Sequence, residues 1–515
     1  MAVYAQLEQH CRRHPDRMAL TVGRQRLNYG QLWRRCQQAR DRINQLPLDR
    51  VSRDFELPEH ARLTAICLGN HHRFVELFLT ASAAPNVVAV LDPGLPAGVL
   101  QSVLQRLKPD LLILPEQRHP LYALARELGI TVDCMDHPEH EVPESASLSV
   151  VPVQSAHQDD QPFLIGLTSG TTSMPKAFIR SRRSWRESLE HSQQVFSLHA
   201  DMTTLAPGSM TQGIALFALL ESLNAGAEFV TDGDFNVITL ARRLAEGHIR
   251  RLVVVPTMIA ALAVYAQNKP LQFPAVIQVV SAGAKFERHH WQQCQQLFPA
   301  ANIFEYYGAS ELSFVSVNPL TPGNIDHAID TVGHAFPGVE ISIRDQHGHE
   351  LPDGQSGQVY LRSPLICQGY LWHDETATFQ QNQWGATVGD LGYLQDGRLT
   401  IVGRAGGMVV SRGHNIYLSE VERALKATGL IAEAVVLGIK DAYAGQRLVA
   451  IVQPLLDRPL TTDDLKHACR PHIGRHKIPQ EIYRLQHWPL TVSGKIARKT
   501  LELWIQQHHA ALQRL

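Results

Sequence analysis

A hydroxyl-rich loop that ends in a lysine, Leu167-Thr168-Ser169-Gly170-Thr171-Thr172-Ser173-Met174-Pro175-Lys176, follows the apolar run Phe163-Leu164-Ile165. The hydroxyls of Thr168, Ser169, Thr171 and Thr172, backbone N–H groups freed by Gly170 and the Lys176 ammonium can together donate to several phosphate oxygens. It is not a Walker A loop, which places a glycine directly before the lysine and Ser or Thr directly after it. Here Pro175 precedes Lys176 and Ala177 follows it. Taken alone, the same residues also describe a surface turn of small polar side chains. The pairs His10/His14 and His472/His476 have the spacing of metal ligands on a helix face, but a third ligand is not evident, and they read as solvated histidines. The metal to expect is magnesium carried by a nucleotide.

The elements that would hold this loop are short apolar runs of strand length: Leu63 to Leu68, Val87 to Leu91, Leu111 to Leu114, Leu252 to Val255 and Val276 to Val280. They alternate with helical patterns at Gly30 to Leu46, Arg73 to Ala84 and Val99 to Leu107, which predicts an α/β domain with largely parallel strands. Beyond about Gly333 the turns become frequent, through Gly338, Asp353-Gly354, Gly357, Gly385, Gly392 and Asp396-Gly397, and predict a β-rich subdomain. Mixed α/β patterning returns after the glycine-rich joint Gly403-Arg404-Ala405-Gly406-Gly407. The expected organisation is a large N-terminal domain over 1–403, built of α/β subdomains plus a β-rich part at about 333–403, and a small α+β C-terminal domain over 404–515.

Composition excludes more than it names. The chain has 515 residues, beyond the roughly 250 to 300 at which single cores stop growing. With 48 basic and 49 acidic side chains, nothing draws it to nucleic acid or an anionic membrane. Met1 to Arg17 is polar and lacks the apolar core of a secretory signal. The most apolar windows, Ile214 to Leu220 and Leu252 to Val264, fall short of the ~20 residues that span a bilayer, so no membrane span is expected. Seven scattered cysteines without a C-x-x-C fit reduced thiols in a cytoplasmic protein.

Further motifs follow the loop in order: Tyr306-Tyr307-Gly308-Ala309-Ser310-Glu311, Trp384-Gly385-Ala386-Thr387-Val388-Gly389-Asp390, Gly403-Arg404, Gly413-His414-Asn415-Ile416-Tyr417 with Glu420-Val421-Glu422, and Pro489-Leu490-Thr491-Val492-Ser493-Gly494-Lys495. With the loop, this set resembles the adenylate-forming superfamily of acyl-CoA and aryl-CoA synthetases, peptide-synthetase adenylation domains and firefly-type luciferases. The stretch Phe304 to Phe314 is especially similar to bacterial fatty-acid–CoA ligase-like proteins. The resemblance implies ATP-dependent activation of a carboxylic acid to an acyl-adenylate with release of pyrophosphate, then transfer to the thiol of CoA. It implies that Thr168 to Thr172 and Lys176 hold the β- and γ-phosphates, that Glu311 binds Mg2+, and that Tyr307, with Gly308 and Ser310 beside it, stacks on adenine near Gly283 and Ala284. Asp390 would accept from both ribose hydroxyls, with Arg404 donating. Lys495 would supply the catalytic charge at the α-phosphate, and Gly413 and His414 would line a pantetheine tunnel once the C-terminal domain rotates. Read without the resemblance, Glu311 is as readily a helix-start acid, Gly389-Asp390 a turn, and Lys495 a solvated surface lysine; at least one of Tyr306 and Tyr307 is expected to pack in the core.

The chain departs from that pattern in three places. Gly406 stands where an acidic or lysine hinge residue is usual, with Gly407 next, which predicts a looser joint that keeps both half-reactions. Ser173 replaces the last glycine of the phosphate loop, and Met210 an aromatic or histidine that gates the acyl pocket. Around Ser209, Met210, Gly213 and Ala282 the expected acyl pocket is small and apolar. No acidic residue between Thr203 and Leu220 could hold an α-amine, so an alkyl or plain aryl carboxylate is favoured over an amino acid. An acyl carrier protein is the alternative acceptor, since its phosphopantetheine shares the thiol arm of CoA, and a nucleotide-binding protein without turnover is the alternative of another class. Arg180, Arg182, Arg183 and Arg186 are candidates for a CoA 3′-phosphate patch or else a solvated helix face. A homodimer is left open.

Overall fold

The computed structural model describes residues 2–48, 51–58, 60–136, 159–168, 174–267, 269, 271–372, 379–404, 407–411, 414–441, 445–455, 460–491 and 495–515. The chain divides into two compact units, Met1–Glu340 with Arg362–Ala377, and Ile341–Leu361 with Thr378–Leu515. Its mixed α/β make-up, with a larger first and a smaller second part, is the fold class expected from the sequence.

One sheet of the first unit runs in the order Gly369–Trp372, Lys176–Ser181, Pro162–Thr168, Val87–Val90, Leu63–Ile66, Leu111–Leu114, Thr131–Cys134. Its central strands are parallel and buried along their whole length, which is why they read as unbroken apolar runs. Leu100 and Leu104 of the helix Ala97–Leu107 pack with Leu63, Val87, Leu112 and Ile165 in one core. In the other sheet Thr204–Leu205, Arg251–Val254, Gln278–Ser281 and Asn302–Ala309 run parallel, and Ser313–Leu320 turns back antiparallel. The helix Tyr29–Gln45 starts where its side chains allow, with Asn28 and Gln31 each bonding the other's backbone N–H.

The predicted β-rich stretch is shared between the two units and carries strands and, among its described residues, no α-helix. Asp390–Gln395 and Arg398–Arg404 form a hairpin closed by Asp396 and Gly397, both in the left-handed region at φ 51° and 72°. Beyond it, Met408–Ser411, His414–Tyr417, Ile431–Asp441, Gly445–Pro454 and Glu481–Arg484 make a further sheet flanked by the helices Leu418–Ala427 and Arg498–Gln506. The expected 403/404 boundary falls within the second unit, at the end of the strand Arg398–Arg404; Ala405 and Gly406 lie outside the described residues. No helix among the described residues is long and apolar enough to cross a membrane. All seven cysteines are buried and unbridged.

Candidate active site

The lysine-ended loop joins two antiparallel strands, Pro162–Thr168 and Lys176–Ser181, in which Thr168 lies directly opposite Lys176. A Walker A loop leads instead into a helix, so the topology agrees with the residue pattern that excluded it. Ser169, Gly170, Thr171 and Thr172 lie outside the described residues. Gly166 lets the hairpin close: a Cβ there would meet the Phe178 ring at 2.2 Å.

Tyr307, Gly308, Ser310 and Glu311 sit at the end of a second hairpin, Asn302–Ala309 against Ser313–Leu320. Glu311 stands in its tight turn and not at a helix start, so the helix-start alternative falls away. The strand sends adjacent tyrosines to opposite faces. Tyr306 goes inward among Phe196 and Phe314, where burial pushes its hydroxyl pKa up; Tyr307 stays half-exposed. Gly308 has no room for a side chain, because a Cβ would fall 2.2 Å from the Ser313 carbonyl oxygen. Just past the neighbouring parallel strand Gln278–Ser281, Ala282 is buried while Gly283, at φ 84°, and Ala284 are exposed. Glu305, a buried carboxylate, anchors that turn: it accepts from Lys285 Nζ at 2.7 and 3.0 Å and from the Phe286 N–H at 2.8 Å.

Glu311 Oε1 accepts a hydrogen bond from the Tyr370 hydroxyl at 2.5 Å. Among the described residues no cluster of three or more His, Cys, Asp or Glu side chains could hold a metal. A divalent ion at Glu311 would therefore need one carboxylate supplemented by substrate phosphates and water, the coordination magnesium usually takes. The residues present fit that ion.

The acyl-pocket candidates Ser209 and Met210 are buried at the carboxyl end of the strand Thr204–Leu205, and Gly213 opens the helix Gly213–Ala225 exposed. Ligand crevices in parallel sheets lie at such strand ends. The Met210 N–H donates to Asn70 Oδ1 at 2.7 Å, and Gln212 Nε2 to Asp92 Oδ2 at 2.9 Å. One helical face carries Gly213, Phe217 and Glu221 at four-residue spacing. The Phe217 ring lies 5.0 Å from that of Phe314, and Glu221 pairs with Arg251 at 2.7 Å, so the first acid beyond the expected pocket is already matched to a cation.

In the second unit, Asp390 and Arg404 face each other across the hairpin, and Arg404 Nε donates to Asp390 Oδ1 at 2.6 Å. The carboxylate is 4% exposed although its partner is largely open. Lys495 is exposed; its N–H donates to Thr491 Oγ1 at 3.1 Å and its carbonyl accepts from the Thr491 N–H at 2.7 Å. His414 opens the strand His414–Tyr417, while Gly413 and Gly406 lie outside the described residues.

Two expectations are corrected. The four arginines do not share one face: Arg180 and Arg182 are buried, whereas Arg183 is exposed and Arg186 half-buried. Arg180 and Arg182 are 2% and 4% exposed; Arg182 donates to the Ser82 and Asn86 carbonyls, Arg183 pairs with Asp160, and Arg186 pairs with Asp159. Nor is His10 solvated: its Nε2 lies 3.0 Å from the Asn224 carbonyl oxygen, and burial lowers its pKa. Tyr370, Asn70 and Glu305 were missed. Tyr370 and Asn70 stand outside the motifs singled out, and nothing in their neighbours marks them; Glu305 was visible only as a letter within one.

Residues 7–371 match the family of AMP-binding enzymes, and residues 420–495 match the AMP-binding enzyme C-terminal domain. The chain is similar to a protein of Bacillus subtilis named as an uncharacterized acyl–CoA ligase, YhfT, 30% identical over 453 residues that make up 87% of this chain and 89% of that one. It is also similar to a protein of Staphylococcus epidermidis named as a long chain fatty acid–CoA ligase, VraA, at 30% identity over 66% of this chain and 70% of that one. Among solved structures, ATP-bound MatB from Rhodopseudomonas palustris shares the fold, with a TM-score of 0.81 at 20% identity over 97% of this chain and 99% of that one.

Proposed function

The chain belongs to the family of AMP-binding enzymes and is an AMP-forming acid–CoA ligase, and from that premise we propose that it activates a fatty or related alkyl carboxylate. A carboxylate oxygen of the acid attacks the α-phosphorus of ATP and pyrophosphate leaves; the thiol sulfur of CoA then attacks the acyl carbonyl and AMP leaves. Thr168 and Lys176, with the loop between them, donate to the β- and γ-phosphates and hold the chain of phosphates in line for attack. Magnesium, held by Glu311, would neutralise phosphate charge. Tyr307 covers adenine above the open turn Gly283-Ala284, and Gly308 and Ser310 keep that approach unobstructed. Asp390 accepts from the ribose hydroxyls with Arg404 donating beside it, and Lys495 stabilises the charge that builds at the α-phosphate. For thioester formation the Gly413–His414 segment lines the thiol's path after a rotation about Gly406.

The alkyl preference rests on pocket chemistry. Ser209, Met210, Gly213 and Ala282 offer no charge, and the first acid along the helix, Glu221, is consumed by Arg251. The name carried by the staphylococcal relative points the same way. The seven unbridged thiols support a cytoplasmic setting. A carrier-protein phosphopantetheine is the second reading of the acceptor, favoured by the burial of Arg180 and Arg182, two of the four arginines that were candidates to read the 3′-phosphate of CoA.

The single observation that carries the proposal is the match to AMP-binding enzymes across residues 7–371. A panel of carboxylic acids assayed for pyrophosphate release, with CoA, with a phosphopantetheinyl carrier and with neither, tests it. Release that depends on alkyl acids, with thioester formed only when CoA is present, is expected; preference for amino acids or silence across the panel would overturn it.

A further inference from the structure

No step above uses the hydroxyl that touches the Glu311 carboxylate. Tyr370 donates it to Oε1 at 2.5 Å, within the range of a charge-assisted O–H···O⁻ bond. Tyr370 belongs to the strand Gly369–Trp372, which pairs antiparallel with Lys176–Ser181 and sets Tyr370 opposite Phe178. The same segment is pinned at three more points. The Cys367 N–H donates to the Glu311 carbonyl at 2.8 Å, the Gln368 N–H to the Ile179 carbonyl at 2.9 Å, and Trp372 Nε1 to the Pro175 carbonyl at 2.9 Å. Residues 367–372 thus bridge the Glu311 hairpin and the phosphate-loop hairpin, two pieces of chain more than a hundred residues apart in sequence.

A glutamate on a hairpin turn loses rotamer freedom when it binds a cation, and a partner that fixes one oxygen beforehand removes that cost. We propose that Tyr370 is a positioning residue for the metal carboxylate: its hydroxyl holds Oε1 so that Oε2 is presented to the magnesium of MgATP, in register with the phosphate loop. The proposal rests on the reading of Glu311 as the metal ligand.

Calorimetric titration of the full chain with ATP, in the absence of acid and with or without Mg2+, tests it. The readout is the factor by which Mg2+ tightens ATP binding. Tyr370→Phe is expected to reduce that factor about 10- to 100-fold while leaving metal-free ATP affinity unchanged. The Mg2+ concentration that half-activates pyrophosphate release is expected to rise in step. Glu311→Gln separates the two claims. If it leaves the factor intact, Glu311 is not the ligand; if it abolishes the factor and Tyr370→Phe does not, the Tyr370 assignment alone is overturned. Trp372→Phe removes a neighbouring bond of the same strand, and an equal loss there would assign the effect to strand distortion and overturn the hydroxyl's role. Should Tyr370→Phe fold poorly, Glu311→Asp withdraws the carboxylate from the hydroxyl by one methylene. The same loss of metal enhancement is expected, and full enhancement would overturn the proposal.

Discussion

At the scale of single residues, exposure separates side chains kept for chemistry from those kept for stability. Lys495 is exposed, and its backbone N–H and carbonyl both bond to Thr491. Lys495→Ala is expected to lower pyrophosphate release by at least about two to three orders of magnitude with no change in melting temperature; near-normal release would remove the lysine from the reaction. The pair Glu221–Arg251 is the opposite case, 2% and 1% exposed at 2.7 Å. Glu221→Gln strands a buried guanidinium and is expected to cost about 3 to 5 kcal/mol, read from chemical denaturation. Asp390 stands between these extremes, buried itself but bonded to an open arginine. Asp390→Asn keeps the shape and loses the charge, and is expected to raise KM for ATP more than it lowers kcat; an unchanged KM would remove Asp390 from the ribose site. The motifs mark both chemical candidates, Lys495 and Asp390, yet cannot pair Glu221 with Arg251, because a salt bridge between positions thirty apart depends on which strand lies beside which helix.

At the scale of elements, two hairpins and one strand position the chemistry of the first unit. Both hairpins rely on glycine where backbone or ring comes too close for a side chain, Gly166 under Phe178 and Gly308 against the Ser313 carbonyl. The second clash is with backbone and has no flexible neighbour to yield. Gly308→Ala is therefore expected to cost about 1 to 3 kcal/mol in stability and to weaken ATP binding, checked by denaturation and by titration; an unchanged titration would show that the Tyr307 strand tolerates the shift. The parallel strands were legible because both faces are buried, and the apolar runs at Leu63, Val87 and Leu111 fall within one or two residues of the observed strands. The turn at Glu311 was not, since the dipeptide Ser310-Glu311 suits a helix start as well as a hairpin. The register shift at Tyr307/Gly308 and the return strand Ser313–Leu320 decide between them. The arginines after Lys176 failed for a related reason. They begin on a buried strand and continue into a helix, and the periodicity of charge alone does not reveal which face that junction buries.

At the scale of the whole molecule, the proposed function asks one site to serve two reactions in succession, and Gly406-Gly407 stand where the family's motif pattern has an acidic or lysine hinge residue. Gly406 and Gly407 widen the accessible backbone range at an ordering cost of roughly 0.5 to 1 kcal/mol each. Gly406→Asp is expected to leave adenylation intact and to slow thioester formation, measured as pyrophosphate release against CoA consumption; equal rates for both would make the glycine incidental. By itself the sequence determined the fold class, the ATP-dependent chemistry and the order of the motifs, because phosphate loops, acidic metal ligands and buried strands each impose residue types over a few consecutive positions. Only the tertiary structure decided which side chains those motifs meet: Tyr370 on Glu311, Glu305 under the open turn at Gly283, Arg251 on Glu221, and carboxylates on two of the arginines that were candidates for a CoA patch or a solvated helix face. The reason is physical. A motif is local along the chain, whereas a hydrogen bond or ion pair between distant segments exists only once packing has set their distance and excluded water from between them.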